Sequence, residues 1–116
     1  MRTKVEEITI PALALRGVIV FPKMNIQFEV SRKKSVEALK KVLKTDRKIF
    51  LVPQKDDNVK NPVKSDLYRY GVVAEVRQCV EIEEHKVTRL LFEGLYRAKL
   101  MDLFEEEPYL VAKIKP

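Results

Sequence analysis

Alternation of apolar and polar positions predicts β structure in the N-terminal part of the chain. Residues 25–30 (NIQFEV) place three apolar side chains on one side of a strand and three polar ones on the other, which is typical of a half-buried strand. Residues 8–15 (ITIPALAL) also indicate an extended strand. Pro11 predicts that this strand is an edge or a bent one, because proline cannot donate a hydrogen bond to a neighbouring strand.

Between these strands, the stretch LALRGVIVFPKM (13–24) concentrates apolar side chains around a glycine. Gly17 permits a bulge or a sharp bend. We expect a second strand over 18–21, closed by Pro22, which cannot continue it. Both faces of this strand would be apolar, which is typical of a central strand packed in the core.

The end of the same stretch has a second interpretation, an exposed apolar patch. Phe21, Pro22, Met24 and Ile26 lie at a strand end and its turn, where some side chains must face solvent. Met and Phe side chains in such places are adaptable contacts for varied partners. These four residues are therefore a candidate binding site for varied partners, with core packing as the alternative.

Helical spacing follows in SRKKSVEALKKVL, where apolar side chains recur three and four residues apart. One amphipathic helix is predicted over 33–44, with Ser31 as its N-cap. The short apolar run IFLVP (49–53) predicts a buried strand. The polar, proline-containing segment 54–66 predicts a long loop.

The rest of the chain is predicted to be β structure. Apolar side chains alternate with charged ones in RYGVVAEVRQCVEIEE, and KVTRLLFEG follows as its hairpin partner. The predicted strands cover 69–84, 86–94, 95–104 and 108–115, with the hairpin turn at Glu84-His85.

About seven strands and one amphipathic helix give a mainly β domain of the α+β class, and a curled sheet or small open barrel is favoured. No repeat, low-complexity tract or Gly/Ser linker divides the 116 residues, so one domain over 1–116 is predicted. The last strand pattern reaches Pro116 with no closing element after it. We therefore expect the natural protein to continue beyond this residue.

The formal charge of +6 is concentrated in one segment. Residues 32–48 contain eight basic and two acidic side chains, and the other residues contain fifteen of each. Arg32, Lys33 and Lys34 lie at the helix N-terminus, where the helix dipole disfavours cations. They are candidate contacts for an anion, either nucleic acid phosphate or an acidic patch on a partner, with a solvated face as the alternative.

Catalytic and metal-binding motifs are lacking in the sequence. There is no glycine-rich phosphate loop, no dinucleotide motif and no nucleophile elbow. One histidine and one cysteine cannot supply a zinc site of the usual spacing. We therefore expect no catalytic residue, no metal and no cofactor in this chain.

The sequence also indicates a cytoplasmic protein. No apolar run approaches the roughly 20 residues that span a membrane, and the N-terminus lacks the apolar core of a signal peptide. Cys79 is the single cysteine, so no internal disulfide can form, which suits a reducing cytosol.

Five segments in order resemble the N-terminal domain of the Lon ATP-dependent proteases. They are LALRGVIVFPKM, SRKKSVEALKKVL, IFLVPQKD, DLYRYGVVAEVRQ and FEGLYRAKL. The resemblance runs from about Ile10 to Leu100. The chain departs from the family pattern at Ala14, where proline is common, and at 83–85, where an Asp-Gly hairpin turn is common.

This resemblance implies a PUA-like open β-barrel with one helix, followed by a helical part. It implies a homohexameric AAA+ serine protease of the bacterial cytoplasm, in which ATP, Mg²⁺ and a Ser-Lys dyad belong to domains outside this chain. The role implied here is capture of misfolded or regulatory proteins and help in hexamer assembly. The alternatives are a PUA-like nucleic-acid-binding module, with weak DNA binding, and a stand-alone Lon-like regulatory domain.

Overall fold

The computed structural model describes residues 7–16, 20–30, 33–59, 62–82, 84, 87–105 and 110–116. This part of the chain contains six β-strands, one α-helix and a short 3-10 helix. The strands are β1 (Ile8–Leu15), β2 (Asn25–Val30), β3 (Lys48–Pro53), β4 (Tyr70–Ile82), β5 (Val87–Glu105) and β6 (Leu110–Lys115). The helix α1 covers Lys33–Leu43, and the 3-10 helix covers Lys64–Asp66. The predicted mainly β class with one amphipathic helix is confirmed.

All six strands join one curled sheet in the order β2-β5-β4-β3-β1-β6. An additional β5–β6 pairing brings the last strand back to β5, so that β1, β3, β4, β5 and β6 form a closed circuit. The β1–β3 pair is parallel and the other pairs are antiparallel. Strand β2 lies outside the circuit, on the N-terminal half of β5.

The two faces of the sheet carry separate apolar clusters. Leu39 and Val42 of α1 pack into the first cluster together with Leu51 of β3 and Phe92 of β5. All five strands of the circuit contribute buried residues to the second cluster, which includes Phe50 of β3. Burial of apolar surface on both faces is the main favourable contribution to the stability of such a small domain.

A bulge at Leu95 explains how β5 serves both clusters. Gly94 pairs with Ala74, whereas Tyr96 pairs with Val73, so the register shifts by one residue. An extra residue sends the following side chains to the opposite face. Leu90 and Phe92 consequently lie in the first cluster, and Ala98 and Leu100 lie in the second.

Several predicted boundaries change in the structure. Residues 86–94 and 95–104 were predicted as two strands but form one strand, β5, because the chain continues through the bulge. Val20 and Phe21 are not part of a strand, which corrects the strand predicted over 18–21 as far as the described residues reach. Gly17, Val18, Ile19, Ser31 and His85 lie outside the described residues.

Candidate functional site

A tight turn at residues 21–24, named here the apolar turn, leads into β2. The Met24 N–H donates to the Phe21 carbonyl oxygen at 3.1 Å, and Lys23 has a left-handed φ of 67°. Pro22 occupies the second position, where its fixed φ is favourable, and a positive φ at the third position is the signature of a type II turn. Glycine is the usual residue at that third position, and here a lysine occupies it.

The apolar turn is fixed to the backbone of β5. The Lys23 N–H donates to the Gly94 carbonyl at 2.8 Å, and the Gly94 N–H donates to the Met24 carbonyl at 2.8 Å. Two residues of the turn thus oppose one residue of β5, which is a β-bulge whose first residue is left-handed. A Cβ atom at Gly94 would lie 2.5 Å from the Phe21 carbonyl oxygen, so the close approach depends on glycine.

The four predicted substrate-binding residues divide into two pairs. Phe21 is 52% exposed and Met24 is 38% exposed, so both side chains present apolar surface to solvent. Pro22 is partly buried, and Ile26 packs against the first cluster. Val20, immediately before the turn, is buried in the same cluster. Val20 and Ile26, on either side of the turn, therefore pack in the core, whereas the side chains of Phe21 and Met24 are exposed to solvent.

The three predicted anion contacts are placed only in part. Arg32 lies outside the described residues, and Lys33 and Lys34 begin α1, with side chains that are not described. Further along α1, Lys40 lies 3.6 Å from Glu37 in an exposed i,i+3 ion pair. Such surface pairs contribute little to stability.

A second surface, which the sequence analysis missed, combines tyrosines and cations. It consists of a depression of about 680 Å³ and a neighbouring one of about 360 Å³, which share Lys99. We name it the tyrosine groove. Tyr68 and Tyr70 are 49% and 52% exposed. The cations that line it are Lys55, Lys64, Arg69, Arg97, Lys99 and Lys115.

No Asp or Glu side chain of the described residues lines either depression. Within the same part of the chain, Lys64, Arg69 and Lys99 have no carboxylate at ion-pair distance. A depression lined by one sign of charge attracts an oppositely charged ligand. The alternation of tyrosine and arginine in LYRY (67–70) is the sequence signal that could have indicated this surface.

Comparison with known proteins decides the family. The family model of the ATP-dependent protease La (LON) substrate-binding domain matches residues 9–116. The chain belongs to this family. The resemblance noted in the sequence is thereby confirmed.

Relatives of this Lon substrate-binding domain are bacterial proteins named Lon protease. The sequence is 41% identical to the Halothermothrix orenii protein over 102 residues, which is 88% of this chain and 13% of that protein. It is also 41% identical to the Lachnoclostridium phytofermentans protein over 90% of this chain and 13% of that protein. The chain thus spans about an eighth of the length of these relatives.

Two solved structures share the fold. One is the N-terminal domain of the Mycobacterium avium complex Lon protease, with a TM-score of 0.72 and 17% identity. The other is a Lon N-terminal domain protein from Xanthomonas campestris, with a TM-score of 0.71 and 12% identity. Each comparison covers 92% of this chain, and they cover 53% and 58% of the two solved chains.

Two side chains on β4 of this Lon domain, Arg77 and Cys79, have shifted pKa values. Arg77 donates to Glu93 and pairs with Glu75, and these carboxylates raise the pKa of its guanidinium, with the hydrogen bond to Glu93 as the largest cause. Burial raises the pKa of the Cys79 thiol, and Glu81 raises it further, against a smaller opposing effect of Arg47. A thiol shifted in this direction is a weak nucleophile at neutral pH.

Across the described ranges, no group of three His, Cys, Asp or Glu side chains is arranged to hold a metal ion. No helix in the same part of the chain has the length and apolar character needed to cross a membrane.

Proposed function

We propose that this domain captures misfolded or regulatory proteins through Phe21 and Met24 of the apolar turn. The observation that carries the proposal is an exposed Phe and an exposed Met held on a turn that is hydrogen-bonded to β5. Unfolded chains share exposed apolar side chains and little else, so adaptable apolar contacts suit a binder of many sequences. The substrate-binding name of the family model supports the same role.

Each such contact is weak by itself. Burying one Phe and one Met side chain contributes roughly 3–6 kcal/mol. Association costs an estimated 4–15 kcal/mol of lost rotational and translational freedom. Several linked copies would raise the overall affinity by converting later binding events into intramolecular ones. We therefore place the domain in a homohexamer, whose assembly it supports, with one apolar turn on each subunit.

In this proposal the chain itself catalyses no reaction. It presents bound polypeptides to the ATPase and protease parts of a Lon protease, and ATP and Mg²⁺ act in those parts. The setting is the bacterial cytoplasm. The short span of this chain relative to its relatives supports the division of labour, because most of each Lon protease lies outside the matched region.

Titration of the isotope-labelled domain with an unfolded model protein tests the proposal. Amide shifts are expected at residues 20–26. Phe21→Ser and Met24→Ser should each weaken binding by about tenfold or more, because a tenfold change corresponds to about 1.4 kcal/mol. Phe104→Ser is a matched control, because Phe104 is 40% exposed and Met24 is 38% exposed. Phe104 pairs with Val111 near the far end of β5. Equal losses in all three variants would contradict a site at the apolar turn.

A second candidate function, binding of single-stranded nucleic acid, is favoured by the tyrosine groove. Proteins that bind single strands combine cations along the phosphates with aromatic side chains that stack on bases. Tyr68 and Tyr70 are exposed beside Arg69 and Lys99. This combination fits such a ligand better than the N-terminus of α1, where no aromatic residue is interleaved with the cations.

Fluorescence anisotropy with a labelled oligonucleotide tests this second function. Arg69→Gln and Lys99→Gln should each weaken binding and reduce its salt dependence, because each removes one phosphate contact. Tyr70→Ser should weaken binding and leave the salt dependence unchanged, because stacking releases no counterion. Binding that survives all three substitutions would exclude the groove.

A further inference from the structure

Strand β2 forms one end of the sheet. In the described residues it pairs with β5 alone, over the whole length of Asn25–Val30. An antiparallel strand directs its N–H and C=O groups alternately toward its partner and away from it. At one edge of β2, main-chain groups therefore have no partner strand among the described residues. The alternation of the hydrogen-bonded pairs between β2 and β5 decides which residues supply these groups.

The apolar turn fixes this phase. The Met24 carbonyl accepts from the Gly94 N–H at 2.8 Å, so this main-chain carbonyl points toward β5. The pairs Ile26 with Phe92 and Phe28 with Leu90 follow at steps of two, so they are the hydrogen-bonded pairs. The main-chain groups of Asn25, Gln27 and Glu29 must then point away from β5.

The remaining pairing of β5 agrees with this assignment. The Val76 N–H donates to the Arg47 carbonyl at 2.8 Å, away from β5. Val76 lies opposite Phe92, so these two residues are not a hydrogen-bonded pair between β4 and β5, and the main-chain N–H and C=O groups of Phe92 point toward β2. Asn25, Gln27 and Glu29 are also exposed residues, so a ligand can reach this edge.

We propose that an extended segment of a captured protein adds to this edge of β2 as a further strand, while one of its apolar side chains contacts Phe21 or Met24. The inference rests on the proposed function and names the form in which a substrate binds. Six residues of β2 span about 20 Å, enough for a segment of about six residues. Asn25 directly follows Met24, so the free edge and the exposed apolar side chains are contiguous.

An unfolded polypeptide is the occupant that these features select. The donors and acceptors of the edge repeat at every second residue, which matches another main chain in extended form. Main-chain pairing places no demand on side-chain identity, so affinity can be shared by unrelated sequences. Selectivity for side chains then depends on the apolar residue of the captured segment that contacts Phe21 or Met24. A proline in the captured segment would remove one of the N–H donors that pair with β2.

Proline substitution on the protein side tests the edge directly. Gln27→Pro removes a donor that points away from β5 and leaves the β2–β5 hydrogen bonds in place, as proline on an edge strand can. We expect it to weaken binding of an unfolded eight-residue apolar peptide by about tenfold or more. Gln27→Ala keeps the N–H group and should bind within about twofold of the unchanged domain. Equal affinity of the Pro and Ala variants would overturn the edge pairing.

A second experiment leaves the domain unaltered, in case Gln27→Pro fails to fold. Two versions of the peptide carry N-methyl groups at alternate positions, one set in each phase. One version should lose binding by about tenfold or more and the other should retain it, because only one phase faces β2. If both versions bind equally while Phe21→Ser still weakens binding, capture at the apolar turn stands and the edge pairing is wrong.

Hydrogen exchange identifies the occupant. The amides of Asn25 and Gln27 should exchange rapidly in the free domain and slow by about tenfold or more when the peptide is bound. Protection in the free domain that rises with its own concentration would mean that a second copy of the chain occupies the edge. That outcome would overturn the proposal, and sedimentation of the same samples would show the dimer.

Discussion

Lys23 has the most constrained backbone of the apolar turn. Its φ of 67° costs a side-chain-bearing residue roughly 1–2 kcal/mol, and glycine adopts this conformation freely. We expect Lys23→Gly to raise the free energy of unfolding by about 0.5–1 kcal/mol, because the relief of strain exceeds the added entropy of the unfolded chain. Urea denaturation measures the change.

The same substitution in α1 provides the control for Lys23→Gly. Lys41 is exposed within the helix, and Lys41→Gly should lower the free energy of unfolding by up to about 1 kcal/mol through lost helix propensity. Opposite signs at the two positions would establish strain at Lys23. A loss of stability at both would show that Lys23 is unstrained.

Cys79 gives a pH-dependent prediction. Burial, and then Glu81, raise the pKa of its thiol. As the pH rises, the thiol of the unfolded chain ionises first, so the folded state loses stability from the unfolded-state pKa upward. Alkylation of the folded domain should be slower than that of the urea-unfolded chain at pH 8 and should accelerate at higher pH.

Glu81→Gln refines the Cys79 prediction. Removing the carboxylate should lower the pKa of the thiol, because a neighbouring negative charge disfavours the thiolate. The alkylation profile of the folded variant should therefore move to lower pH. An unchanged profile would mean that Glu81 does not influence the reactivity of Cys79.

Residue-scale prediction from the sequence succeeded where one local rule determines the outcome. Pro22 predicts a turn through its fixed backbone, and the turn is present. The exposure of Phe21 and the packing of Ile26 against the core depend on how the turn meets β5. That contact involves Gly94, about 70 positions away in the chain. The local pattern therefore could not show which of Phe21 and Ile26 is exposed and which packs in the core.

At the scale of elements, the agreement follows the strength of the periodic signal. The bounds of β1 and β2 agree with the predicted 8–15 and 25–30. Strand β1 buries Leu13 and Leu15 in the first cluster and Ala12 and Ala14 in the second. The helix ends at Leu43, one residue before its predicted end. The sequence pattern predicts two strands that meet at residues 94 and 95, where the structure has the single strand β5. The bulge at this point reverses which face is buried, and the alternation of apolar and polar residues cannot continue through such a reversal.

Gly94 joins two elements, and this gives a prediction about binding. A Cβ atom there would meet the Phe21 carbonyl at 2.5 Å, so Gly94→Ala must displace the apolar turn from β5. We expect a loss of about 1–3 kcal/mol in the free energy of unfolding. We also expect weaker binding of unfolded protein, measured at a temperature where the variant remains folded.

Gly71→Ala is the matched control for Gly94→Ala. Its added Cβ would lie 2.4 Å from the Leu51 carbonyl, an equally tight backbone contact, but the contact lies between β3 and β4 rather than at the turn. The same Cβ would lie 2.7 Å from the ring of buried Phe50, so stability should fall by at least as much while the folded variant keeps its affinity. Equal losses of binding in both variants would attribute the effect to general destabilisation.

At the scale of the whole molecule, distant segments complete both the core and the tyrosine groove. Strand β6 pairs with β1 and β5, so the two ends of the chain close the circuit together. The groove takes its cations from four separate parts of the chain, near residues 55, 64–69, 97–99 and 115. Sequence analysis located the charge only in 32–48, because local charge counts do not show which distant segments meet.

The apolar turn and the tyrosine groove should respond differently to salt. Gly94 and Lys99 are five residues apart on β5, or about 16 Å, so one ligand need not exclude the other. Binding of an uncharged apolar peptide should change little with salt. Oligonucleotide binding should fall with a logarithmic slope of up to about −3.5 if Lys64, Arg69, Arg97, Lys99 and Lys115 all contact phosphates.

Two variants separate these surfaces. Phe21→Ser should weaken peptide binding and leave the affinity for the oligonucleotide unchanged. Tyr70→Ser should weaken oligonucleotide binding and leave the affinity for the peptide unchanged. The two side chains are equally exposed, at 52% each, so loss of general apolar surface is matched. If either variant weakened both ligands equally, the two surfaces would act as one site, and the assignment of separate protein and nucleic acid ligands would fail.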